Sequence, residues 1–166
     1  MYKVGDKVAY GTNGLFTIED IRDEAVLGEK HTYYVLKSLS GKSESLSFVP
    51  VDNESLVSNM RYPLTKQRAE SLIEAISDIE PAPWIADTRK RTEKYRELLE
   101  SGSYENIVSV IKSVQQKEKS RIAEGKKIFI SDENIMKKAK AVLYAEISEA
   151  LNISEGQIEA CFADFD

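Results

Sequence analysis

The 166-residue chain has one cysteine, one histidine and one tryptophan, and each scarcity closes off a kind of chemistry. Cys161 has no partner for an intrachain disulfide, which fits a reducing, cytoplasmic setting. A histidine-dependent catalytic triad would have to use His31, and no G-x-S-x-G turn accompanies it. One histidine and one cysteine cannot build a structural zinc site. No glycine-rich phosphate loop is present. The apolar runs are too short to cross a bilayer, and no basic stretch leads into an apolar one as in a secretory signal. No cofactor, metal or catalysed reaction is therefore expected. His31 reads as a surface residue at a sheet edge, and Cys161 as a small core residue on an apolar helical stripe.

What is present is enough apolar residue, 42%, to pack one or two small cores, with 31% charged. The net charge of −5 hides an asymmetry. Residues 1–80 carry −4, residues 81–140 carry +5, and residues 141–166, with no lysine or arginine, carry −6. A basic middle between acidic ends is either a solvated helix surface or a local anion-binding face.

Residues 1–53 read as about five short strands, within a first domain expected over residues 1–60. Val4, Val8 and Tyr10 fall on one face at period two, with Lys3 and Lys7 outward. Gly5 and Gly14 supply turn conformations, Gly28 breaks the next pair, and Ser40-Gly41-Lys42 reads as a hairpin tip before Leu46–Val51. Five short strands of this kind close into a small SH3- or Tudor-like barrel more readily than a flat sheet with long edges.

From Pro63 the period changes. Leu72, Ile73 and Ile76 give a helical stripe, and Pro81-Ala82-Pro83 stops it. Residues 61–83 are expected to be a helix and Pro-rich joint, and residues 84–166 an all-α domain. Asp87 or Thr88 caps a helix from Arg89 to Ser101, and a second runs from Tyr104 to about Lys119. Ser131-Asp132-Glu133 caps a third with Ile135, Met136, Ala139, Val142, Leu143 and Ile147 on its inner face. A short last helix bears Ile158, Cys161 and Phe162. The fold class is α+β. A bare sheet ahead of a basic helical half suggests a docking module rather than an enzyme.

Several runs have a familiar order and spacing. Lys3-Val4-Gly5-Asp6-Lys7-Val8-Ala9-Tyr10, Gly28-Glu29, Tyr33-Tyr34-Val35-Leu36-Lys37 and Val49-Pro50-Val51-Asp52-Asn53 occur in the first half. Leu98-Leu99-Glu100-Ser101-Gly102-Ser103-Tyr104, Ile135-Met136, Val142-Leu143 and Glu146-Ile147 follow in the second. Together they resemble the CarD/CdnL family of bacterial transcription regulators, collinearly over about residues 2–150.

The resemblance implies a Tudor-like domain that adds a strand to the RNA polymerase β subunit, main-chain hydrogen bonds supplying the affinity. It also implies a helical domain on promoter DNA, with an aromatic wedge in the minor groove and basic residues on phosphates, without sequence-specific readout. The docking residues it implies are Glu24, Ala25, Val26 and Phe48, where barrel core is the other reading of Val26 and Phe48. The DNA-facing residues are Trp84, Arg89, Lys90, Arg91, Lys94 and Lys117, with Lys112, Lys119 and Arg121 in a second basic cluster. Trp84 lies four residues before the family's wedge position, counted back from Gly102, so it reads either as the wedge or as a packing anchor. Glu24 and Phe48 stand where some members carry arginine, and Glu133 where a lysine can stand. A protein-interaction adaptor that keeps the docking barrel and has lost productive DNA binding is the alternative reading.

Overall fold

The structure, a computed structural model, describes residues 1–40 and 46–163. The hairpin tip expected at Ser40-Gly41-Lys42 falls largely outside them. The chain forms two compact units, Met1–Pro63 and Leu64–Asp166.

The first unit is an antiparallel sheet of β1 (Lys7–Tyr10), β2 (Leu15–Val26), β3 (Glu29–Ser38), β4 (Leu46–Pro50) and β5 (Met60–Arg61), in the order β4-β3-β2-β1-β5. A one-turn helix, α1 (Glu54–Val57), precedes β5 and is capped by the Asn53 side chain. The strand at the chain start is shorter than its alternation suggests. Gly5 takes φ +90° in a turn before it, where the Asp6 amide donates to the Lys3 carbonyl. Val4, expected inward with Val8, is thereby left 58% exposed.

A bulge between Ile18 and Asp20 decides the core of this unit. At period two Ile18 and Ile21 would lie on opposite faces. The extra residue shifts the phase, so both reach the core formed by Val8, Phe16, Ile18, Tyr34, Leu36, Val49 and Met60. The Tyr2 hydroxyl donates to the Met60 carbonyl at 2.7 Å and its ring meets Tyr34 edge-on.

The second unit is helical, with α2 (Lys66–Ala75), α3 (Thr88–Glu100), α4 (Tyr104–Ala123), α5 (Ile130–Leu151) and α6 (Glu155–Ala163). The segment 61–83, expected as a helix and joint, is largely part of this unit, because Leu64, Ala69, Leu72, Ile76 and Ala82 all enter its core. Its prolines stop the helix without freeing the chain. The amide of Ala82, between two residues that have none, donates to the Ser109 carbonyl at 2.9 Å.

Two buried charged side chains serve helix ends and chain entries. Lys112 Nζ donates to the carbonyls of Ile76, Ser77 and Ile79, covering the C-terminal end of the α2 segment. The expected placement of Lys112 in a DNA-facing cluster is thus corrected, since it is 5% exposed. Glu146 accepts from the Tyr104 hydroxyl and the Leu64 amide. Asn152, with φ +53°, closes α5 in the left-handed conformation.

The β2–β3 hairpin turns at Leu27-Gly28, both with positive φ, 53° and 87°. A type I′ turn requires this and favours Asn-Gly, whereas leucine resists it. Leu27 is fully exposed and recovers no packing energy there. Leu27→Asn is expected to stabilise the sheet unit by about 1 kcal/mol, read as a raised urea midpoint with an unchanged slope. An unchanged or lowered midpoint would mean that the leucine is not strained.

Candidate functional site

Two surfaces stand out, one in each unit. In the first, β1 covers only the start of β2. Their register ends at Lys7–Thr17, and the last backbone bonds on that side link Ile18 with Gly5 and Asp6. From Glu19 to Val26, β2 pairs with β3 alone among the described residues, so its other edge has no strand partner, the Ile21 amide there donating to the Asp20 side chain at 2.8 Å. Open edges of this kind are templates for an added strand.

Glu24, Ala25 and Val26 lie on that open stretch, opposite His31, Lys30 and Glu29. Ala25 is exposed, and Val26 and Phe48 are about half exposed, so neither of the last two belongs to the barrel core. Phe48 sits on β4 opposite Val35, its ring edge-on to Tyr33. Arg22, which sequence reasoning passed over, joins the pieces. Its Nε meets the Glu24 carboxylate at 2.8 Å, and its guanidinium lies 5.3 Å from the Phe48 ring centre. Beside them, hydrogen bonds from Lys30 and then Thr32 hold the Asp23 carboxyl below the usual carboxylate range.

The second surface surrounds Trp84. The Asp87 carboxylate accepts from the Lys90 amide and starts α3. Its exposed side carries Arg89, Lys90 and Lys94, the last paired with Glu97 at 3.2 Å. Arg91 is turned the other way by the helical period and is fully buried. Its Nε and Nη2 make a bidentate pair with Asp132, each at 3.0 Å. Nη1 donates to the carbonyls of Ile85 and Ala86, and Nη2 also to the Thr88 hydroxyl. The expectation that Arg91 contacts phosphate is corrected: all five donors are engaged inside the protein.

Trp84 stacks on that guanidinium, with Arg91 Cζ 4.0 Å from the ring centre. Lys117 Nζ lies 5.3 Å from the same centre. Trp84 is half-buried and outside the apolar core, so it is neither a free side chain nor a core anchor. The row continues past it: Arg91 also faces Phe129 at 5.4 Å, and Arg121 faces Phe129 at 4.0 Å. The structure thus joins Trp84, Arg91 and Lys117, whereas Arg89, Lys90 and Lys94 occupy the exposed side of α3.

Nearby, Tyr95 spans two elements, its hydroxyl bonded to Ser113 at 2.7 Å and to the Pro83 carbonyl. Burial pushes its phenol up, the Ser113 bond opposing.

Two family descriptions match this chain. The CarD-like/TRCF RID domain covers residues 2–61, and the CarD C-terminal domain covers residues 77–163. The chain belongs to the CarD-like family. It is accordingly a transcription-related protein that interacts with RNA polymerase, built of domains known from non-catalytic regulators. Among the described residues no helix is long and apolar enough to cross a membrane.

The CarD C-terminal match includes two residues that sequence reasoning missed, Asp132 and Phe129. The run Ser131-Asp132-Glu133 suggests a helix cap for Asp132. In fact α5 starts one residue before Ser131, with Phe129 at the N-cap and no side-chain cap bond. Asp132 is 3% exposed and committed to Arg91. The signal available was an acid beside an aromatic residue at a helix start. Nothing local identifies its partner 41 positions earlier.

Removing one partner of a buried pair leaves the other uncompensated. Asp132→Ala is expected to cost about 3–5 kcal/mol, whereas Lys94→Ala, which breaks an exposed pair, should cost less than about 1 kcal/mol. Chemical denaturation of the two variants compares them, and equal midpoints would contradict the desolvation of Arg91.

Proposed function

We propose that this CarD-like protein is a non-catalytic regulator in the bacterial cytoplasm, docking on the RNA polymerase β subunit and contacting promoter DNA to stabilise or retune the open complex. The unpaired edge of β2 from Glu19 to Val26, within the part of the chain matched to the CarD-like/TRCF RID domain, carries this reading. A strand of the β subunit would pair along Asp23–Val26, with Glu24, Arg22 and Phe48 setting side-chain selectivity beside it. In the helical unit, Trp84 would enter the minor groove, with Arg89, Lys90, Lys94 and Lys117 near phosphates.

The adaptor reading keeps the docking edge and omits the DNA. The burial of Arg91 and the Lys94–Glu97 pair favour it, since both reduce the positive charge open to phosphate.

Two measurements separate the readings. Ala25→Pro places a residue without an N–H in the docking strand and should abolish capture of the β lobe. Circular dichroism should still report a folded helical unit. Capture at wild-type strength by the folded variant would remove the docking proposal. For DNA, affinity measured with polymerase present should fall with salt, and Lys90→Ala and Lys117→Ala should each reduce the log–log slope by about 1. A salt-independent interaction with the polymerase complex, unchanged by both substitutions, would favour the adaptor.

A further inference from the structure

The segment before α3 has no secondary structure of its own, yet the backbone around Trp84 is held on both sides. The Pro83 carbonyl accepts from Tyr95, and the Ile85 and Ala86 carbonyls accept from Arg91. The ring between these points rests on the same guanidinium. The guanidinium in turn is fixed by two bonds to Asp132 at the start of α5 and has Phe129 as a second aromatic neighbour. One buried side chain therefore ties the extended segment, α3 and α5 together at the position of the only tryptophan.

We propose that Arg91, held by Asp132, is the positioning residue for Trp84, fixing the ring half-exposed and in one orientation before any partner arrives. A planar, permanently charged group suits this task. It can stack on a ring and meet a carboxylate bidentately in the same plane, which a lysine cannot. A ring ordered in advance loses less conformational freedom on insertion than one on a loose extended segment. The use of Trp84 at DNA rests on the reading above, whereas the mount itself does not.

Trp84 is its own reporter. In the full-length protein, Arg91→Met combined with Asp132→Leu removes both charges together and keeps the volume filled, so the helical unit should remain folded. Acrylamide quenching of Trp84 should rise about twofold or more, and its anisotropy decay should gain a fast component on the ps–ns scale of free side chains. Arg91→Lys, which retains the charge opposite Asp132 but not the plane or the five donors, should loosen the ring in the same way. Wild-type quenching and anisotropy in either folded variant would overturn the proposal.

An open-complex assay with polymerase separates this from the DNA reading. If Trp84→Ala leaves the response at its wild-type level, the DNA role of Trp84 fails while the mount stands. If Trp84→Ala abolishes the response and the double variant leaves it intact, the positioning role of Arg91 fails. Loss of the response in both, with no further loss when they are combined, supports the two together.

Discussion

A guanidinium removed from water loses solvent at five N–H groups, and Arg91 regains a partner at each of them. That requirement organises one end of the helical unit. It draws in the Asp132 carboxylate and keeps the first turn of α5 beside α3. It recruits the Ile85 and Ala86 carbonyls, so the chain ahead of α3 is held against the fold without forming a helix or a strand. It also places a flat cation under Trp84 and beside Phe129. A buried ion pair is weak evidence for net stability, because apolar residues of equal volume often serve as well. The geometric consequences are what apolar replacements would not reproduce.

The sheet unit solves a different problem. An unpaired strand edge invites aggregation, and charged side chains along it are a common defence. The open stretch of β2 carries Glu19, Asp20, Arg22, Asp23 and Glu24, and these lead into Ala25, Val26 and Leu27 without a charge. The charged part is largely self-paired, with Lys37 on Glu19, Arg22 on Glu24 and Lys30 on Asp23. The apolar end is exposed and includes a leucine in a conformation leucine disfavours. Strain in an exposed, unpacked residue is unexplained by the stability of the free fold, and Leu27 sits in the turn that directly follows the edge proposed to accept a strand.

Much of the fold was legible in the sequence because it follows from local periodicity. The stripes of α4 and α5, the Asp87 cap and the stop at Gly102 are all readable within a few residues. What was not legible depends on partners far away in the chain. β5 has only two residues, and its pairing with Ala9 and Tyr10 leaves no periodic trace. The bulge after Ile18 cannot be seen without β3 opposite it. The prolines near Trp84 suggested a joint because proline interrupts helices and strands. Extended chain can nonetheless pack, and the Ala82 amide found the Ser109 carbonyl. For the site, Trp84 and Lys117 were recognised separately. Their common point is Arg91, whose inward turn is not legible locally, because a run of three basic residues looks like surface when its acid is 41 positions away.

Burial also changes the meaning of the charge pattern. Counted along the sequence, residues 81–140 carry +5, and that excess suggested an anion-binding face. Arg91 and Lys112 both belong to it, and both are buried. Arg91 is neutralised locally by Asp132, so this pair leaves the segment's sum unchanged and removes one cation from the surface. Lys112 meets three backbone carbonyls at a helix end, where the dipole favours a cation. The sum therefore overstates the positive charge a phosphate could touch. Of the residues around Trp84, Lys117 is the cation whose ammonium group lies near the ring without being buried. Any DNA contact centred on Trp84 would then depend more on the shape and orientation of the ring than on a broad basic surface, which makes the fixed geometry of the mount the governing constraint.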